Sequence, residues 1–276
     1  MGPKLIRIAA VARLVVLDGL RRHALLGLVA LAVAAQLGAF FFFDFIPRDI
    51  GRASADFILS IAWLAGFIFI FFHGVQVMAM DEEKRVVYAL LARPISRGEY
   101  VLGVFAGLAL LLLLLNLLLG ALGYGSLLLI KGLVSAIYFS QLNPAFYLLA
   151  WLGLFTLQLL LLAVILLFSG LVRGSFPVLL ISLSYYAICS GLPVVREAVA
   201  QAAAGGRETG AGLARLLQGL TAVFPDFARL DYKNLITVAG TGPGWAELAV
   251  NFGLVGAYIL LALWLATVVY QRRDLQ

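Results

Sequence analysis

Residue types that could do bond chemistry are scarce in this chain, and their spacing excludes most of it. Glu82 and Glu83 are adjacent carboxylates, the pairing used in general acid–base work, but they have no histidine or metal-ligand companion nearby. Gly98 and Gly103 have the glycine spacing of a phosphate-binding loop. Val104 and Phe105 then stand where a lysine and a Ser or Thr must be, so the loop cannot hold a nucleotide's β- and γ-phosphates. The single cysteine, Cys189, excludes an internal disulfide and a thiolate metal cluster. His23 and His73 are far apart and share no ligand spacing with acids. There is no G-x-S-x-G, H-E-x-x-H or C-x-x-C. The expectation is a chain that is not an enzyme and holds no cofactor or metal of its own.

The composition says where such a chain lives. Hydrophobic residues make up 63% of 276 and charged residues only 12%, against about 25% charged in a soluble domain. That is too little charge to cover a water-facing globule, and it excludes a soluble enzyme, a disordered chain and a disulfide scaffold. A bilayer core of about 30 Å needs about 20 apolar helical residues. Runs of that length cover residues 24–43, 57–80, 100–122, 148–172, 174–195 and 248–271. The fold expected is therefore all-α and polytopic, with six transmembrane helices. Gly120, Gly123 and Gly125 are read as the stop of the third span. Residues 127–139, short and containing Lys131, are read as a helix lying at the interface or re-entering partway.

Three segments are not spans. Residues 3–22 place Lys4, Arg7, Asp18, Arg21 and Arg22 on one helical side, with Leu5, Ile8, Ala9, Ala12, Val16 and Leu20 over much of the other. This suits an amphipathic interfacial helix, with anionic lipid as its simplest partner. Residues 81–99 form the densest charge cluster. Val87, Leu90 and Leu91 repeat at helical spacing, Pro94 ends that helix, and Ser96 with Glu99 makes the S-x-x-E capping pattern for the next. Residues 196–247 form a large loop carrying a leucine stripe (Leu213, Leu216, Leu217, Leu220) and the run Phe224-Pro225-Asp226-Phe227. It suits a gate, a docking surface for an extracytoplasmic protein, or a structural cap.

The run Glu82–Gly103, E-E-K-R-V-V-Y-A-L-L-A-R-P-I-S-R-G-E-Y-V-L-G, resembles the signature of type-2 ABC transporter permeases, nearest to those grouped with multicopper-enzyme maturation systems. The Phe-Pro-x-Phe element of the outer loop is similar to one in the same family. The resemblance implies that residues 81–99 carry a coupling helix that docks on an ATP-binding subunit. Glu82, Glu83, Arg85 and Arg93 would make polar contacts, Leu90 and Leu91 the apolar anchor, and Pro94, Ser96 and Arg97 the turn. It implies two ATP-binding subunits, which carry the ATP and Mg, and a second permease subunit, most simply a homodimer. Val104 departs from the lysine that many relatives have after the glycine of the Leu-Gly pair.

Charge placement gives an orientation. Twelve of the 20 Lys and Arg residues fall on one side of the six-span scheme, and the positive-inside rule makes that side, with both termini, cytoplasmic. The excess of +6 also falls there, so no cationic surplus remains to suggest nucleic acid. Gln36, Asn116 and Gln158 stand within apolar runs, either as interhelical hydrogen bonds or as the lining of a translocation path. No acid lies mid-span, which disfavours an ion-coupled carrier. The expected function is an ATP-driven export permease in the cytoplasmic membrane. The alternative is a mechanotransmission or assembly subunit that acts on an extracytoplasmic partner and moves no cargo itself.

Overall fold

Long runs of leucine, alanine and phenylalanine favour helix, and with few polar side chains only helices can satisfy the backbone in an apolar surround. The computed structural model describes residues 3–21, 23–38, 50–78, 95–133, 139, 142–204, 219, 224–236 and 242–272. Its helices are α1 (Pro3–Arg21), α2 (His23–Gly38), α3 (Ile50–Met78), α4 (Arg97–Leu133), α5 (Pro144–Leu171), α6 (Ser175–Ala204) and α7 (Trp245–Arg272). There is no strand among the described residues. The helices α3 to α7 are each long and apolar enough to cross a membrane, and Leu25–Gly38 is a shorter apolar helix. The protein is an all-α, multi-pass membrane protein.

Pairings between the helices give their directions. Gln36 of α2 reaches Leu119 of α4, and Trp63 of α3 reaches Tyr186 of α6. Tyr147, near the start of α5, meets Gly120 of α4, whereas Gly170 at its end lies against Val269 and Tyr270 of α7. Consecutive helices from α2 to α7 thus alternate in direction. One end of the bundle gathers the start of α4 and the end of α7, and the opposite end gathers the starts of α3, α5 and α7.

Two local features shape the bundle. The turn Phe69–Gly74 within α3 is π-helical and places His73 in a buried position beside Phe69, ring centroids 5.2 Å apart. At the other, the chain reverses between α5 and α6 at Gly174, whose φ of +92° is a backbone conformation side chains rarely adopt.

The helices differ from the sequence reading in three places. Residues 127–133 form no separate helix; they continue α4, which runs 37 residues, about 55 Å. Two of the glycines read as a stop, Gly120 and Gly123, are contact points, whereas Gly125 faces open space. A Cβ at Gly120 would meet the Trp151 indole, and one at Gly123 would meet Ile58 and the Tyr147 hydroxyl. Close approach of α3 and α5 there offsets the roughly 1 kcal/mol helix penalty of each glycine. The second difference is that α6 continues past residue 195 to Ala204 with Pro193 inside it, so the loop expected from Arg196 begins as helix.

The third concerns α1. It is helical over the span expected, but its buried seam is Val11, Val15 and Gly19, with Leu5, Leu14, Leu17 and Leu20 exposed. It packs lengthwise and parallel on α4: Val11 sits on Gly103, Val15 on Gly107, and Gly19 on Leu111. A Cβ at Gly103 would lie 2.6 Å from Val11 Cβ. The two glycines four apart let the helix backbones approach, the small-residue packing common between apolar helices.

Candidate coupling junction and buried amide network

The first residues of α4 build a junction of three helices. Ser96 precedes the helix, and its Oγ accepts a hydrogen bond from Glu99 N at 3.2 Å. Glu99 Oε2 in return accepts from Ser96 N at 2.8 Å, so both bonds of the capping box are made. The same carboxylate lies 3.5 Å from Arg7 of α1. Arg97 turns the other way and donates through Nη1 to the carbonyls of Tyr270 and Gln271, at 3.4 and 3.3 Å, in the last turn of α7. A guanidinium at a helix C-terminus meets carbonyls that lack intrahelical donors and the negative end of the helix dipole. The Tyr100 and Tyr270 rings, 5.9 Å apart and almost fully buried, close the junction beneath these bonds. Chain entering α4 is therefore tied to α1 on one side and α7 on the other.

Of the residues read as coupling contacts, the structure places Ser96 and Arg97 at this junction. Glu82, Glu83, Arg85, Leu90, Leu91, Arg93 and Pro94 lie outside the described residues. So does the leucine stripe of the long loop.

The second constellation lies deeper, along α4. Gln36, Asn116 and Gln158 are buried to 1% exposure or less. Asn116 Nδ2 donates to Gln158 Oε1 at 2.7 Å and to the Leu112 carbonyl at 2.9 Å. Gln158 Nε2 donates to the Ala62 and Trp63 carbonyls of α3, at 3.3 and 3.4 Å. Gln36 Nε2 donates to Leu119 O at 3.1 Å, which adds α2. Sequence reading missed two further members: Trp151 Nε1 donates to Asn116 O at 2.9 Å, and Tyr147 OH to Gly120 O at 2.8 Å. Their signal was spacing, since residues 147, 151 and 158 share one face of α5 and stand opposite residues 116 and 120 across an antiparallel pair.

This geometry joins α2, α3, α4 and α5 through side chains that bond backbone carbonyls. Gly66 of α3 makes room for it, because a Cβ there would overlap the Gln158 amide. Gln36 and Gln158 do not meet each other in these bonds; both converge on α4 from different sides. Gln36 Oε1 and Asn116 Oδ1 keep unused acceptor capacity among the described residues. Chemically the arrangement can hold helices in register, and it offers no nucleophile or acid–base pair. No group of His, Cys, Asp and Glu suited to a metal ion occurs among the described residues.

No known protein-family model matches this chain, and no curated protein matches it in sequence.

Proposed function

We propose that this chain is the membrane-spanning permease subunit of a type-2 ATP-binding-cassette transporter, with six crossings formed by α2 to α7 and both termini in the cytoplasm. The observation that carries the reading is the position of the Glu82–Gly103 motif. Its last residues are bonded at once to the N-terminal helix and to the last helix. A push on the loop ahead of Ser96 would reach α1, α4 and α7 together, which is what coupling to an ATPase requires. The alternating directions of α2 to α7 support an even number of crossings, and twelve cations on the junction side support its cytoplasmic placement. ATP and Mg belong to two partner subunits, and a second copy of the chain completes the transporter.

The buried amides favour a second reading. Gln36 and Gln158 are engaged with backbone carbonyls of neighbouring helices, and Asn116 with the Gln158 side chain, so they act as bolts within one protomer. A subunit built to transmit force to an extracytoplasmic partner needs that stiffness. An export permease would then carry cargo between two copies of the chain.

The test is copurification and coupling. With the chain tagged in its native membrane, an ATP-binding subunit should copurify, and Leu90→Asp with Leu91→Asp should abolish its binding or uncouple its hydrolysis. Unchanged binding and coupling would remove the docking site. Absence of any ATP-binding partner would overturn the class. Deleting part of the 205–223 segment separates the two readings: an exporter loses or alters flux, whereas a transmission subunit loses its outer partner.

A further inference from the structure

Residues 224–236 descend into the end of the bundle opposite the junction. Leu230 O presses on Gly153, nine residues into α5 and so about 14 Å below its first residue. The Phe227 ring lies 6.0 Å from that of Tyr186, well before the end of α6. The segment is held by Arg52 Nη2 donating to Asn234 Oδ1 at 2.7 Å, by the Arg196–Asp226 ion pair at 2.9 Å, and by Asn251 Nδ2 donating to Tyr232 OH at 3.2 Å. The segment is two short 3-10 turns, Phe227–Leu230 and Lys233–Leu235, joined by irregular backbone, which is tolerated at such depth only where protein buries it or a polar cavity meets it. Both occur here. Beneath the segment lies a cavity of about 280 Å3 between α3, α5 and α6.

Its walls are of two kinds. Leu154 and Leu157 of α5, with Trp63, Tyr186 and Phe227, make an apolar and largely aromatic body. Toward the mouth stand Ser190, Asp231 and Lys233. Lys233 Nζ is 3.7 Å from Asp231 Oδ2, and so its charge is already matched by a carboxylate. Asp231 Oδ1 also accepts from Lys233 N at 3.3 Å, so the acceptors left to a ligand are the second lone pairs of the Asp231 oxygens and the Ser190 hydroxyl.

The geometry points to a binding site for a single-chain amphiphile whose head donates hydrogen bonds, a hydroxyl or an ammonium group. The chain would lie along Trp63, Leu154 and Leu157, and the head would meet Ser190 and Asp231 beneath the 224–236 segment. A carboxylate head, which only accepts, fits worse. The site does not rest on the permease reading, since it needs neither an ATPase nor flux.

Photoaffinity labelling of the full chain in lipid nanodiscs tests it, with diazirine-bearing analogues of dodecanol, dodecylamine and dodecanoate as probes. Expected is saturable labelling by the alcohol and the amine in peptides containing Leu154–Leu157, Tyr186–Ser190 or Phe227–Lys233, displaced by unlabelled dodecanol. Ala150→Phe, which fills the cavity, should weaken the apparent affinity by about tenfold or more. Val194→Trp, at the exposed rim, should do the same without touching the packed interior, so a folding defect in the first variant does not decide the outcome. Asp231→Asn should weaken the amine more than the alcohol. Labelling that never saturates and falls only on lipid-facing positions such as Leu260 and Trp264 would overturn the proposal. So would equal or stronger labelling by dodecanoate, or indifference to both filling variants.

Discussion

Gln158 shows most clearly what single residues do here, because it touches two other helices. Its carbonyl end accepts from Asn116 and its amide end reaches the carbonyls of Ala62 and Trp63. Removing it leaves the Asn116 amide without that acceptor in an apolar surround, where an unmet donor is costly. Gln158→Leu should therefore destabilise the purified protein by about 1–2 kcal/mol in reversible unfolding from mixed micelles. An Asn116→Ala and Gln158→Ala double-mutant cycle should return a coupling energy of about 0.6–1.7 kcal/mol. A coupling of zero would show that the 2.7 Å contact is energetically idle. Gly66→Ala tests the same bond from the opposite side: the added methyl displaces the amide, and a loss of about 1–3 kcal/mol is expected from overpacking. The sequence marked Gln36, Asn116 and Gln158 because polar side chains in apolar runs must find partners. Which partners they find depends on helices 42 residues or more apart in the chain coming into contact, and no local pattern records that.

At the scale of elements, the α1–α4 pair carries the argument. Helical periodicity shows that α1 has an apolar side, but several of its leucines remain exposed, and the seam is instead Val11 and Val15 on Gly103 and Gly107. Hydrophobicity alone misplaces the seam because in lipid a leucine can be satisfied outside the protein, whereas close helix approach selects small partners. Gly103→Leu should pry α1 from α4. The expected readouts are a lower unfolding temperature and faster proteolysis near α1, with α5 and α6 peptides unaffected. Glu99→Ala removes half of the capping box and the Arg7 contact. It should lower stability by about 1 kcal/mol, as for loss of a helix cap, with Glu99→Gln recovering part of it. High salt should weaken the Arg7 contribution, since that guanidinium is 39% exposed.

For the whole molecule, the alternation of α2 to α7 and the cation distribution make a single prediction about topology. Cysteines introduced at Lys4 and Gln271 should be protected from a membrane-impermeant maleimide in intact cells and become reactive after permeabilisation. A cysteine at Gly210 should react in both. The native Cys189 is fully buried and should give little background. Reaction at Lys4 or Gln271 in intact cells would reverse the orientation, and opposite behaviour of these two would imply an odd number of crossings. Burial is uneven across the bundle. Half or more of the most apolar stretch is enclosed in α3, α4 and α5, but only 22% in α6 and in α7. The exposed faces of α6, with Leu180 and Ile188, and of α7, with Leu260 and Trp264, are therefore where lipid or another protein must cover apolar surface.

The sequence alone determined the class of the molecule, all-α and multi-pass, because bilayer thickness and the cost of unpaired backbone polar groups leave an apolar chain few alternatives. It also determined the capping box of Ser96 with Glu99, since those bonds span only a few residues. Only the tertiary structure decided that Gly120 and Gly123 are contacts inside one long helix and not its end, and that residues 224–236 sink between helices. It alone also decided that Tyr147 and Trp151 of α5 are spent on carbonyls of α4 and Gln158 on those of α3. Each of these depends on what a residue meets across the bundle. A glycine's local preference is the same wherever it stands, and its role is settled by whether an indole, a hydroxyl or a carbonyl from another helix occupies the space its missing side chain leaves.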